Sequence, residues 1–414
     1  MTPPEDIRMR GFRERSSVEE ALAAALNDVL PLPPEPVPAT EASGRVLAED
    51  VVSRVSVPPF RRATMDGYAV VAEDTYGASP YTPLSLRIVG SSMPGTSPTG
   101  AVTPGTCMRI MTGAPMPDGA DAVLKAEDTS GTGPNVEARA PVPAGRNVGR
   151  VGEDVAAGDR VLEARRRLLP QDIGLLAAIG HDPVQVTRRP IVRIVVSGDE
   201  LLPPGSMPDG RRIVDSNSPM LAALVERDGG IPEVVRLPDE RTAMEEALTR
   251  PGADVIVTAG AASVGTEDRV PVIVGEVGDL AVHGITMRPS APTGIGTVGT
   301  TRVLILPGNP VSCLAAYDLF AGPVVRTLAG RSPDSPYRTV TGTLTRRLVS
   351  QVGRTDYARV VLRGGDVVPV AVTGSSILSS VTRATGYVLI PVESEGYAPG
   401  TAVTVHCYHG ESKS

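Results

Sequence analysis

Three apolar runs limit what this chain can fold into. IVRIVV (191–196), DVIVTAG (254–260) and TRVLIL (301–306) are short, largely apolar, and followed by small polar residues. A strand with one wet face alternates apolar and polar residues, whereas a strand covered on both faces does not have to. The intervening segments have helical spacing. Ser218-Pro219 opens a helix with Leu221, Leu224 and Val225 on one face and Gly229 past its end. Residues 240–249 and VSCLAAYDLF (311–320) predict two more helices, and EVVRL (233–237) a further strand. This alternation predicts a doubly wound α/β domain, whose ligands bind outside the carboxyl ends of the strands.

The flanks follow different rules. Ser17-Val18-Glu19-Glu20 has the form of a capping box and opens a helix that ends before PLPPEPVP (31–38). From 45 to about 165, short apolar alternations broken by Gly and Pro predict a β-rich region, and LPQDIGLLAAIG (169–180) one helix. After 335 the pattern is β again, as in YVLIPV (387–392). Gly294-Ile-Gly296-Thr-Val-Gly299 spells a dinucleotide fingerprint, but a strand follows it where a helix is required, so we read it as a turn and reject a nicotinamide site.

Composition narrows the chemistry. The net charge of −7 argues against wholesale nucleic-acid binding. No run approaches the apolar length of a membrane span, and the N-terminus has no apolar core of a secretion signal. Three scattered cysteines fit a reducing compartment, so a cytoplasmic protein is expected. Lysine occurs only at Lys125 and Lys413, so anion binding has to rest on arginine and backbone N–H groups.

Three loops stand where the α/β rule places ligands: SGDE (197–200), TAGAASVGTED (258–268) and LPGNP (306–310). Their small residues let backbone N–H groups approach an anion. Taken singly, Asp66 and Thr112 read as turn chemistry.

TMDGYAV (64–70), RIMTGAPMPDGADAV (109–123), GRNVGRVGEDV (145–155), SGDEL (197–201), IVDSN (213–217), SVGTED (263–268), LPGNPVS (306–312) and GRTDYARV (353–360), in this order, resemble the MoeA family of molybdopterin molybdenumtransferases. The chain is also similar to the E domain of gephyrin. The resemblance implies α/β plus β architecture: a disordered tail (1–16), an elongated linking and dimerisation segment (17–50 and 143–185), an inserted β-rich domain (51–142), an α/β molybdopterin-binding domain (186–332) and a C-terminal β-barrel (333–414). It implies insertion of molybdenum from molybdate into adenylated molybdopterin, with release of AMP and Mg2+ as the divalent ion. It also implies a homodimer whose site is shared across subunits, and partners among MogA-like adenylyltransferases and molybdoenzymes.

The resemblance carries roles onto particular residues. Asp66, Thr112, Glu200 and Asp268 match catalytic positions, and Glu200, Asp215 and Asp268 are candidate metal ligands. Ser197, Asp199, Asp215, Asn217, Ser263, Gly265, Pro307, Gly308, Asn309 and Pro310 match substrate-binding positions; Asp199 itself reads more as a turn or supporting residue. Arg288, Pro292, Arg354 and Ser375 match molybdate contacts, and Asp154 matches a further acidic position. There are departures. Ser197 stands for Thr, Gly260-Ala261-Ala262 for paired glycines, and Ser376 where His is common. Arg288-Pro289-Ser290-Ala291-Pro292 stands for K-P-G-K-P, so Ala291 lacks a cation. That loss keeps a second reading open: a weak or inactive paralogue that carries molybdopterin species or binds partner proteins.

Overall fold

The computed structural model describes residues 15–131, 133–260 and 269–408. They fall into two compact units. One runs to Glu35, resumes at Gly44–Val46 and continues from Val186; the other comprises Pro36–Ser43 and Leu47–Gln185.

The second unit holds a six-stranded mixed sheet in the order Ala122–Lys125, Gly67–Val70, Thr106–Ile110, Leu84–Ser92, Asn135–Ala138, Thr129–Ser130. Period-two alternation gives it two buried faces. Val70, Cys107 and Leu124 pack on one, Ala69, Met108 and Val123 on the other. The predicted helix runs from Pro170 to Ala178. It ends in Gly180, at φ +66°, and His181 N donates back to Leu176 O at 2.9 Å, closing the last turn.

In the first unit, helix α1 (Val18–Leu26) has its capping box: Glu20 N donates to Ser17 Oγ at 3.1 Å, and Ser17 N to Glu20 Oε2 at 2.8 Å. The α/β sheet is built from β1 (Ile191–Ser197), β2 (Ile231–Leu237), β3 (Val255–Ala259), β4 (Asp279–His283), β5 (Gly294–Val298) and β6 (Thr301–Leu306). Their order is β2-β1-β3-β6-β5-β4. The first four in that order are parallel; β6–β5 and β5–β4 are antiparallel. Both faces are covered, as the apolar runs require. Val192, Ile194 and Val196 pack with Leu221 and Val225 of α2 (Asn217–Arg227), while Val195 and Ile256 pack with Met244 and Leu248 of α3 (Arg241–Thr249) and with Ile273. The one charge inside IVRIVV has a structural use. Arg193, 2% exposed, donates to Arg250 O at 2.6 Å and to Ala247 O and Pro251 O, tying down the end of α3.

Two local expectations are corrected. The Gly294–Gly299 stretch is not simply a turn. Residues 294–298 are strand β5, and only the tip, with Gly299 at φ +58°, turns into β6. At Gly296 a side chain would not fit, because its Cβ would lie 2.4 Å from Asp279 O. The helix expected over 311–320 extends from Pro310 to Leu328, through a π-helical turn at Tyr317–Ala321. Pro323 lacks an N–H and its ring crowds the preceding turn, which the wider turn accommodates. This stretch is long and apolar enough to cross a membrane, but 83% of it is buried within the fold, as a core helix.

The C-terminal region is a closed β-barrel. Thr355–Arg363, Asp366–Ala371, Arg338–Leu344, Ala402–Cys407 and Gly386–Ile390 pair in succession, and Gly386–Ile390 returns to Thr355–Arg363. Ala358, Val360, Val388 and Val405 fill it. The opposite face of Thr355–Arg363 places Tyr357 in the α/β core, stacked on Tyr387 at 4.1 Å. Barrel and α/β domain therefore share one packed core, which holds the barrel loops against the ligand edge of the sheet.

Candidate functional site

A cleft of about 660 Å³ opens at the carboxyl edge of the α/β sheet. Ser197, Gly198 and Glu200 line it after β1, Ala259 and Gly260 after β3, and Gly308, Asn309 and Pro310 after β6. Asp215 and Asn217 enter at the start of α2, and Ser376 and Leu378 come from a barrel loop. Backbone meets backbone at its floor. A Cβ on Gly308 would lie 3.3 Å from Gly260 Cα, and Gly260 sits at φ +111°, so a larger residue at either position would push the loops apart.

The wall residues differ in how far they are already committed. Asp215, 3% exposed, accepts from Ser218 N at 2.9 Å, Ser218 Oγ at 2.5 Å and Arg236 Nε at 3.1 Å. It therefore caps α2 and anchors it to β2. Asn217 donates to Gly308 O at 2.7 Å, which leaves its Oδ1 buried and without a partner. A ligand N–H would satisfy it. Glu200 faces the cleft. Asp199 lies outside the lining and exchanges 3.4 Å backbone contacts with Asp239, each backbone N–H facing the other carboxylate. Asp239 does line the cleft. Asn309 donates to Ser375 Oγ at 3.2 Å, and Val311 N to Ser375 O at 2.9 Å, so Ser375 joins the β6 loop to the barrel. Pro307 precedes these residues without lining the cleft. Ser263, Gly265 and Asp268 lie outside the described residues.

Of the expected molybdate contacts, the two arginines meet at one acid, Asp356. Arg288 pairs in register with Asp356 and donates to its Oδ2 at 2.5 Å, as does Ser350 Oγ at 2.8 Å. Arg354 Nε stands 3.2 Å from Asp356 Oδ1, close enough to attract but not aligned as a hydrogen bond. Asp356 is fully buried, whereas the side chains of Arg288 and Arg354 are 30% and 29% exposed. Pro292 is half-buried, as is Ala291, whose carbonyl accepts from Ile285 N at 2.8 Å.

In the other unit, Asp66 Oδ1 accepts from Thr112 N at 2.7 Å and Thr112 Oγ1 at 2.9 Å. These bonds hold the Asp66 carboxyl below its usual range and keep it ionised at neutral pH. The pair is exposed. Asp154 is exposed too.

Sequence reasoning missed Asp239, Asp356 and Arg359. Asp356 and Arg359 belong to GRTDYARV, and a charge spaced by two from Tyr357 on a buried strand face was the available signal.

A doubly wound α/β domain with a cleft at the carboxyl ends of its strands belongs among proteins that bind a ligand at that edge. Known proteins define it more closely. Residues 16–180 match the MoeA N-terminal region (domains I and II), 193–327 a probable molybdopterin binding domain, and 341–408 the MoeA C-terminal region (domain IV). Molybdopterin molybdenumtransferase 2 of Mycobacterium tuberculosis is 36% identical over 410 residues, covering 96% of this chain and 99% of its own. A molybdopterin molybdenumtransferase of Staphylococcus aureus is 29% identical, covering 94% of each. The structure of the molybdopterin biosynthesis MoeA protein of Pyrococcus horikoshii superposes with a TM-score of 0.83 at 32% identity, over 96% of this chain and 100% of that one. The chain belongs to the MoeA family.

Proposed function

We propose that this transferase of molybdenum cofactor biosynthesis takes molybdate and an adenylated molybdopterin, inserts the metal into the dithiolene, and releases AMP. The observation that carries this reading is the cleft itself. Its glycine-floored backbone suits phosphate, and the unpartnered Asn217 Oδ1 suits a pterin N–H. The arginines beside Asp356 suit an oxyanion.

Mg2+ is the divalent ion of this proposal. Among the described residues no three His, Cys, Asp or Glu side chains gather to hold an ion, and both oxygens of Asp215 are engaged. The carboxylates that would hold a hard cation are Glu200 and Asp239 in the cleft wall. Bound there, the ion would offset the charge developing on the departing AMP. The chain's own groups do the rest: the loops after β1, β3 and β6 orient the ligand, and Asn217 fixes its pterin edge. A homodimer is the second part of the proposal, with Asp66 and Thr112 serving the cleft of a second copy. Cytoplasmic residence completes it, supported by three buried free cysteines.

The test supplies purified protein with adenylated molybdopterin, Mg2+ and micromolar molybdate and follows AMP. Molybdate-dependent release is expected. Tight pterin binding without that release would favour the carrier reading that Ala291 keeps open.

A further inference from the structure

Ser290 has a backbone conformation that serine rarely adopts. Its φ is +91°, in the left-handed region where a side chain crowds the main chain. Among the described residues, three other non-glycine residues have positive φ: Asp28 at +56°, Asn147 at +58° and Arg165 at +66°. Those three lie in the left-handed well that side chains do visit, and Ser290 lies beyond it. A glycine, the residue of the K-P-G-K-P pattern, would take this φ without strain. A strained backbone persists only where its surroundings hold it, so the serine has to supply something that glycine does not.

What it supplies is a hydroxyl. Ser290 is 2% exposed, and its Oγ donates to Ser312 O at 2.7 Å. Its carbonyl accepts from Thr293 N at 3.1 Å and Thr293 Oγ1 at 2.8 Å, and Thr293 is fully buried. The bond to Ser312 joins two parts of the proposed site. Ser312 stands in the first turn of the helix that starts at Pro310, where Asn309 and Pro310 line the cleft. Two residues before Ser290, Arg288 leaves the same short stretch to meet Asp356.

We infer that Ser290 is a positioning residue: its hydroxyl fixes the 288–292 stretch against the helix at the cleft edge, and so sets where Arg288 meets the oxyanion. The inference rests on the molybdate-using reading above. Ser290 acts through Arg288 rather than on the ligand.

S290G and S290A separate the hydroxyl from the backbone. Both delete the Oγ bond; S290G also relieves the strained φ, whereas S290A keeps it. The test follows AMP release by purified protein with adenylated molybdopterin, Mg2+ and varied molybdate, with urea unfolding of the same preparations. Both variants should raise the molybdate half-saturation about fivefold, the size of one lost hydrogen bond, while kcat and the half-saturation for adenylated molybdopterin stay within about twofold. The urea midpoint of S290G should lie at or above that of S290A. If S290A does not fold, S290G carries the test. Wild-type molybdate half-saturation in S290G would overturn the inference, because the backbone alone would then suffice. So would a fall in kcat with the molybdate half-saturation unchanged. Wild-type protein that releases no AMP in response to molybdate would instead remove the transferase reading, and this inference with it.

Discussion

Asp215 and Arg359 lie in the same unit, both withdrawn from solvent, in opposite states. Asp215 accepts three hydrogen bonds, one from an arginine, and its bonding is complete. Arg359 makes one hydrogen bond and leaves two nitrogens without acceptors. Buried charge that is fully partnered holds a scaffold together, whereas buried charge that is not partnered is costly. Sequence matching puts Asp215 among the site residues, whereas its bonding gives it scaffold work at the start of α2.

The comparison extends to the acids, where it can be broken most directly. Glu200 faces the cleft, so E200Q should lower molybdate-dependent AMP release by about a hundredfold or more while urea unfolding stays near wild type. A turnover near wild type would remove Glu200 from the chemistry. Asp215 should behave in the reverse sense. D215A loses a helix cap and strands Arg236 and Ser218, at a cost of about 2 kcal/mol in urea unfolding. A loss of activity with unchanged stability would return Asp215 to the metal-ligand role.

Adding charge is a milder test. A291K should lower the molybdate half-saturation by about tenfold, equivalent to about 1.4 kcal/mol. No change would mean that residue 291 lies away from the oxyanion. A separate test, on stability alone, concerns Asp318, buried beside Arg227 and Tyr337. Burial lifts its carboxyl to about 6, although Arg227 and Tyr337 pull it down. With a raised folded value, its stabilising contribution is present below about pH 4 and is lost as pH rises through about 6. Asparagine does not titrate, so from pH 4.5 to 7 the urea midpoint of D318N should gain on wild type. A constant difference would show Asp318 ionised throughout.

Much of the fold was legible because its signals are local. The capping box at Ser17 and Glu20, the apolar runs of β1, β3 and β6, and the start of α2 each depend on a few neighbouring residues. The extension of the 310–328 helix was not, because Pro323 reads as a stop until the π-helical turn before it is seen. Of the site, SGDE and LPGNP were legible as strand-end loops, and Ser197, Glu200, Gly308 and Asn309 do meet at one cleft. Asp239 was not, because its part depends on facing Asp199 across two strand ends forty residues apart in sequence.

The sequence by itself determined the layers: which runs could be covered on both faces, where the helices begin, and which loops end at the ligand edge. These follow from periodicity and from the chemistry of caps and turns, which act over one or two turns of chain. Only the tertiary structure decided which charges are already used. Asp215 meets Arg236 from a neighbouring strand, Arg288 meets Asp356 from a different domain, and Arg359 meets no acid at all. A carboxylate or guanidinium looks the same in a sequence whether or not its hydrogen bonds are filled, and the groups that fill them arrive from distant parts of the chain.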